Sequence, residues 1–384
     1  MTSSVAEVSA VQLNRATLSR QFLLERERLD VADAVRRLIA VQAQQPESVY
    51  VALASRLADF DPAELDAAFA QFTVVKGTLL RITLHAVHQE DHATLRTAAL
   101  PTIRPVAFDR QFTPSGLRPE DADAMVPALI EFAATPRTSQ ELQRWIAERF
   151  GGESPPGVWR ALRVIAPLVH EPTGGGWAFG NRPSFRAATE IAGSADPERS
   201  AEAGKAVVQR YLSAFGPASI ADIAQFVGMQ RTRVKKAVQD LGDELITVRG
   251  PDGSVLHDVP EGRIPAPDVP VPPRLLPMWD NLLLAYADRS RVIPAEYRKI
   301  VTRVNGDCLP TLLVDGKVVG VWRVVDGKVE ATPFEPLPSS AWRGLTEEAE
   351  RLLELLGHRE PALYRRYHHW WRRLPEEGRR ILAG

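Results

Sequence analysis

Three times between residues 12 and 258 the sequence runs through one order, amphipathic helices followed by a short alternating stretch that turns back. A helix with one apolar stripe must bury it against another helix or a sheet, so this repetition narrows the fold more than composition does. Residues 12–95 read as four helices and a strand. Val31, Ala34, Val35, Leu38 and Val41 recur at i, i+3, i+4, i+7 and i+10, predicting a helix through Val41 that closes in Gln42-Ala-Gln44 and stops at Pro46. Asp61-Pro62 opens the fourth helix with a cap and a first-turn proline. Residues 80–87 predict the strand, with Arg81, Thr83 and His85 alternating against Ile82, Leu84 and Ala86. Residues 120–190 repeat the plan. Thr138-Ser-Gln-Glu141 is a capping box, residues 158–165 a second helix, and residues 168–179 a hairpin with a Gly-rich tip. Residues 203–258 give the clearest copy, with a recognition-like helix at 230–241 and a hairpin turned at Pro251-Asp-Gly253.

Helices followed by a returning strand describe a winged helix. The expected fold is therefore α+β and mainly helical, with three tandem winged-helix units at 1–100, 101–200 and 201–259. A Pro-rich linker follows at 260–273. Residues 274–336 alternate apolar and polar, with turn signals at Asn305-Gly306, Asp315-Gly316 and Asp326-Gly327, which predicts a C-terminal β-hairpin subdomain. Residues 337–384 hold a helix at 340–356 and a basic, aromatic tail.

The 384 residues suffice for two or three such units, and one chain with three dissimilar units reads as a monomer. A net charge of −1 argues against indiscriminate wrapping of DNA. The basic residues are overwhelmingly Arg, which grips phosphate with a bidentate fork. A GC-rich coding bias, visible also in Ala, Pro and Gly, accounts for the same excess. No apolar stretch is long enough to cross a bilayer, and the first nine residues lack the basic start and apolar core of a secretory signal, so a cytoplasmic protein is expected. The single Cys308 reads as an inert thiol and excludes an intrachain disulfide framework, a multi-cysteine zinc site and an iron–sulfur cluster. No GxSxG, Walker loop, HExxH or GxGxxG is present. No metal or cofactor is expected.

On a regular helix Gln42 and Gln44 do not share a face, so a converging pair of amides requires the last turn to loosen. Two readings stand on these residues alone, a solvated Gln-rich helix end and a polar site inside the fold. The surrounding segments bear on the choice. They are Leu13-Asn-Arg-Ala-Thr-Leu-Ser-Arg-Gln21, Val41-Gln-Ala-Gln44, Tyr50-Val-Ala-Leu-Ala-Ser-Arg-Leu57, Thr78-Leu-Leu-Arg-Ile-Thr-Leu-His85, Leu276-Pro-Met-Trp-Asp-Asn-Leu-Leu-Leu284, Ala287-Asp-Arg-Ser-Arg-Val-Ile-Pro294 and Leu313-Val-Asp-Gly-Lys-Val-Val-Gly-Val-Trp-Arg323. In this order and spacing they resemble the winged-helix DNA glycosylases found with DNA-alkylating antibiotics, the azinomycin-resistance (AlkZ-like) type. The resemblance is scattered over residues 13–323.

That resemblance implies hydrolysis of the N-glycosidic bond of a bulky alkylated purine, an N7-alkylguanine, an N3-alkyladenine or an interstrand crosslink. Gln42 and Gln44 are then the catalytic pair, and double-stranded DNA carrying the lesion is the partner. A glutamine amide is no general base, but an N7-alkylated guanine already carries positive charge and leaves neutral without an acid. Two amide oxygens can orient water and stabilise an oxocarbenium-like sugar. A related branch has Asp at the position of Gln44. No Lys flanks the triplet, the nearest being Lys76, so lyase chemistry is not expected.

His85 is a candidate for hydrogen-bonding a backbone phosphate or a glutamine and Arg81 for holding a phosphate, against plain structural roles for each, and Thr83 is a further candidate on their face. Asp280-Asn281 and residues 288–291 match the C-terminal segment of the family, and Asn281, Arg289, Arg291, Lys299 and Arg303 read either as a DNA-contacting or duplex-wedging element or as a solvated hairpin. The recognition-like helix, with Arg231, Lys235 and Lys236, reads as scaffold. In the tail, Trp370 and Trp371 either pack onto the body or stack on nucleic acid. The alternative function is a non-catalytic winged-helix DNA-binding regulator or a drug-binding protein.

Overall fold

The computed structural model describes residues 6–189, 196–357, 359, 363–374 and 376–384. Helices and antiparallel sheets are mixed throughout.

Ser9 opens the helix Ala10–Arg20 with a reciprocal capping box, and Asp30 caps Val31–Arg37. This second helix stops four residues before the expected Val41. Ile39 takes φ +66, and the chain straightens into a two-residue strand, Val41–Gln42, paired with Ala86 and His85. Amphipathic spacing through Val41 was therefore misleading: Val41 is apolar because it lies in a sheet that is buried there. Pro46 opens the next helix, Pro46–Ala54, where its missing N–H costs nothing. Asp61 caps Pro62–Ala70 as expected.

The strand expected at 80–87 is two strands around a turn. Val74–Thr78 and Leu84–His88 pair antiparallel, and Leu80–Ile82 between them is a 3-10 turn. Arg81, Thr83 and His85 consequently do not alternate along one strand. Val74–Thr78 escaped the alternation test because four of its five residues are buried.

Six strands make one sheet in the order Val41–Gln42, Leu84–His88, Val74–Thr78, Leu168–Glu171, Ser184–Ala187, Arg137–Thr138. Strands from 1–100 and from 101–200 thus share a sheet, and the boundary at 100/101 falls inside the helix Gln89–Ala107. The return strand of the second hairpin is Ser184–Ala187, beyond the expected 179. Trp177 and Phe179 lie in the connection, with Trp177 edge-on to Tyr50 at 5.1 Å and Phe179 edge-on to Phe69 at 4.8 Å.

Residues 203–258 follow expectation closely, with helices Pro197–Phe215, Ile220–Val227 and Arg231–Leu241 and the hairpin Ile246–Arg249 with Val255–Asp258. Residues 260–273 hold no helix or strand. The C-terminal sheet runs Arg380–Ala383, Lys328–Pro333, Lys317–Val325, Thr311–Val314, Arg274–Leu276, so the end of the chain joins the subdomain. Asp315-Gly316 (φ +46, +74) and Asp326-Gly327 (φ +51, +75) are paired left-handed turns that match the twist of their strands. Asn305-Gly306 closes a loop whose ends meet as a Thr302–Cys308 bridge. The helix at the C-terminal side is Ser339–Gly357.

One apolar core unites the first helices with this distant sheet, joining Leu38, Val49 and Leu53 to Leu312, Val321 and Trp322. Polar locks reinforce it. Arg56 and Asp280 make a bidentate pair at 2.9 and 2.8 Å, both almost fully buried. Asn14 Nδ2 donates to the carbonyls of Gly316 (2.8 Å) and Arg291 (2.9 Å), and the hydroxyls of Thr17 and Tyr286 lie 2.6 Å apart. Segments far apart in sequence are thereby fastened to each other. Among the described residues no helix is long and apolar enough to cross a membrane.

Candidate functional site

Gln42 ends the strand Val41–Gln42, and Gln44 lies in the bend that follows it. Ala43 N–H donates to the Leu84 carbonyl at 2.8 Å, which prolongs the pairing of Val41 and Gln42. Gln42 is 4% exposed, and Gln44 is exposed.

Arg81 fixes the buried amide. Its guanidinium donates to Gln42 Oε1 at 3.1 Å and to the Phe226 carbonyl, and lies 4.9 Å over the Phe226 ring. His85 Nε2 stands 3.5 Å away on the same guanidinium. His85 Nδ1–H donates to the Thr83 carbonyl at 3.1 Å, which leaves the Nε2 lone pair facing Arg81. Burial, and then the Arg81 charge, push the His85 pKa down to about 3. Burial and then Arg289 lower Arg81 to about 10. At neutral pH the cluster is a fixed cation between a neutral imidazole and a neutral amide. An amide oxygen has two lone pairs, so Arg81 leaves one on Gln42 for a water or substrate group.

The turn carrying Arg81 is strained. Arg81 (φ +54) and Ile82 (φ +60) are consecutive left-handed non-glycine residues, at roughly 1–2 kcal/mol each. Thr83 Oγ1 donates to the Leu80 carbonyl at 3.1 Å and closes the turn. The helix Ile220–Val227 and the residue after it hold it from outside. Gly228 ends Ile220–Val227 at φ +76, where a Cβ would stand 3.0 Å from Arg81 N, so this left-handed, closely approached position needs glycine.

The remaining candidates divide. Asn281 is 4% exposed and donates from Nδ2 to the Ala40 carbonyl, holding the chain as it enters the Gln42 strand. Arg291 reaches the Pro217 carbonyl (3.0 Å) and Thr17 Oγ1 (3.3 Å) and stacks 4.0 Å over Tyr286. Both make contacts within the protein, and Arg291 remains partly exposed. Arg289 donates to Thr302 Oγ1 at 2.8 Å, and its charge is felt at Arg81. Lys299 is exposed, and Arg303 lies 4.7 Å over Trp370 beside a loop whose Val304 is fully exposed. The structure thus brings together Gln42, Arg81 and His85, with Thr83 closing the turn, and places Lys299 on the short helix Arg298–Val301 and Arg303 in the loop after it. Phe226 and Gly228 were not among the sequence candidates. Gly228 carries a helix-stop signal, but nothing in sequence links it to Arg81.

Lys76 is 5% exposed, its Nζ 4.5 Å over the Phe179 ring, with a pKa lowered by burial to about 8. It pairs across strands with Ala86, whereas His85 pairs with Gly77 and Gln42. Strand alternation therefore sends Lys76 to the face opposite Gln42. Cys308 is buried, with its thiol pushed up to about 12 by burial. Among the described residues no group of three or more His, Cys, Asp or Glu is placed to hold a metal ion.

These environments set a pH dependence. His85 and His92 are both lowered from 6.5 to about 3, by burial and then by Arg81 and Arg96 respectively. The unfolded chain takes up a proton on each near pH 6.5, and the folded chain does not until about pH 3. Their contribution to stability is therefore complete above pH 6.5 and is lost as pH falls toward 3, by about 1.4 kcal/mol per pH unit per histidine. The urea midpoint should fall steadily from pH 6.5 to 4.5, and His92→Leu should flatten that fall. A midpoint constant over this range would contradict the buried neutral histidines.

Similar proteins bear directly on the site. A family model described as "DNA glycosylase AlkZ-like" matches residues 35–355. An interstrand DNA cross-link repair glycosylase of Streptomyces sahachiroi is 27% identical over 365 residues, covering 88% of this chain and 94% of that protein. The solved structure of the Streptomyces sahachiroi DNA glycosylase AlkZ superposes with a TM-score of 0.78 at 26% identity, covering 93% of this chain and 99% of that one.

Proposed function

The chain belongs to the AlkZ-like DNA glycosylase family, and from that premise we propose that it hydrolyses the N-glycosidic bond of bulky alkylated purines in duplex DNA, with Gln42 and Gln44 as the catalytic pair. It is a DNA glycosylase of a mixed helical and antiparallel-sheet fold. The observation that carries the finer reading is the buried Gln42 amide, locked by Arg81 in a cluster whose groups keep their charge from about pH 3 to about 10.

Such a cluster cannot accept or deliver a proton at neutral pH, so it suits a base that leaves unaided. N7-alkylguanine and N3-alkyladenine are cationic in the adduct and neutral when released. What remains is to place a water and favour positive charge on the sugar. Gln42, with one lone pair left, holds the water. Gln44, exposed beside it, meets the sugar. Arg81 lies behind the amide, where its charge would oppose a sugar cation were it not offset by the phosphates of bound DNA. The rate of base release should accordingly be flat from pH 6.5 to 9.

The same reading takes the three helical units with their strands as three winged helices, at 1–100, 101–200 and 201–259, joined through 260–273 to the β-subdomain at 274–336 and the closing segment 337–384. They form a channel-like scaffold that admits a bulky adduct or an interstrand crosslink in place, without full extrusion. The protein acts as a monomer, and DNA repair or self-resistance to a genotoxic product is its role. Lys299, Arg303 and the exposed Val304 form the element that contacts or wedges the duplex.

The test is release of the modified base from an oligonucleotide duplex carrying a single N7-alkylguanine, with borohydride present in a parallel reaction. Release without a trapped protein–DNA adduct is expected. Failure to release either N7-methylguanine or a bulky adduct would end the reading in favour of a binding protein, and a trapped adduct would end its monofunctional part.

A further inference from the structure

The family match ends at residue 355, and the most basic short stretch of the chain lies beyond it. Residues 364–373 contain Arg365, Arg366, Arg372, Arg373 and two histidines, and no acid. They fold as a 3-10 helix, Arg365–Arg373, with two different sides. Tyr367 and Trp371 are buried at 4% and 2% exposure, whereas all four arginines are exposed. With three residues per turn, Arg366, His369 and Arg372 line up along one edge. Among the described residues none of the four arginines forms an ion pair. Arg366 rests on the Tyr367 ring and hydroxyl, and Arg373 lies 5.5 Å over Trp370. Some exposed arginines elsewhere are paired, as Arg28 is with Asp59 and Arg118 with Asp121.

The aromatic side ties this helix to the catalytic strand. Gln45 Nε2 donates both to the Gln44 carbonyl and to Tyr367 OH, each at 3.2 Å. Tyr367 meets Trp279 edge-on at 5.4 Å, and Trp279 Nε1 donates to the Gly306 carbonyl at 2.9 Å. Trp370 Nε1 donates to Asp307 Oδ2 at 2.9 Å, in the loop that exposes Val304. The helix therefore spans from the residue after Gln44 to the 302–308 loop.

We infer that the Arg365–Arg373 helix is a phosphate clamp for duplex DNA, its exposed arginines gripping backbone phosphates beside the lesion while its aromatic side holds Gln44 and the 302–308 loop in register. The inference rests on the glycosylase reading for the lesion, but the clamp itself needs only DNA. Arginines with no carboxylate partner among the described residues, on a helix tied to the site in a chain of net charge −1, are a local positive surface complementary to phosphate.

The experiment compares wild type with two quadruple variants, Arg365, Arg366, Arg372 and Arg373 all →Gln or all →Lys. Affinity for an undamaged duplex is measured across a salt series, and base release from an N7-alkylguanine duplex is measured in parallel. The →Gln variant should bind at least tenfold more weakly at low salt, with a log–log salt slope shallower by about 0.9 for each phosphate no longer neutralised. The →Lys variant should keep most of the slope, which a merely structural role would not require. A →Gln variant with the wild-type slope overturns the clamp even if wild type releases base. A wild type that releases no base, together with a →Gln variant of reduced slope, leaves the clamp standing and removes the glycosylase reading.

Discussion

Replacing Gln42 and Gln44 together by Ala is expected to slow base release a hundredfold or more, about 3 kcal/mol of barrier, with the fold retained. The magnitude matches the loss of one preoriented hydrogen-bonding group aimed at charge that develops in the transition state. The effect should reside in the single-turnover rate at saturating enzyme more than in affinity, because neither amide carries charge. Gln42 also occupies Arg81, so Gln42→Ala frees a buried guanidinium and should be the more damaging of the two single variants. Equal release by wild type and the double variant would sink the site assignment, leaving the family membership intact.

Asp280→Ala should destabilise the protein by about 3–5 kcal/mol. Asp280 is fully desolvated with Arg56, and removing one partner of such a pair leaves the other charge buried and alone. It also caps the helix Asn281–Leu284 through Leu282 N–H at 2.9 Å, which contributes about 1 kcal/mol more. The neighbouring Asn281 holds Ala40, so the loss should reach the Gln42 strand and lower activity below the melting point. Urea unfolding measures the first effect. Arg56→Leu combined with Asp280→Ala should recover much of it, since the pair as a whole contributes far less than one stranded member costs. A loss below about 1 kcal/mol for Asp280→Ala would show the pair to be solvated in practice.

That pair also explains what was legible. Arg56 and Asp280 belong to two segments that resemble the same family, and so do Asn14 and Gly316, which meet at the first unit's contact with the C-terminal sheet. Segments that resemble a family carry the chemistry of assembly as readily as the chemistry of the site. Asn281 and Arg291, read as DNA-binding or supporting residues, make such contacts within the fold. Caps and tight turns were read correctly at Asp61, Thr138, Asp315-Gly316 and Asp326-Gly327, because each depends on a few adjacent residues.

The sequence by itself determined the mixed helical and sheet class, the helices of 203–241, the hairpin at 246–258, the turns within 311–333, and the candidacy of the glutamine pair, but not the helix Gln89–Ala107. These follow from local periodicity, turn chemistry and a recognisable order of segments. Only the tertiary structure decided that Gln42 lies on a strand, that Arg81 and His85 meet it from across a strained turn, and that Phe226 and Gly228 of another unit hold that turn. Strand pairing and burial are set by residues distant in the chain, and the helical spacing of Val31 to Val41 could not report that a sheet claims its last member.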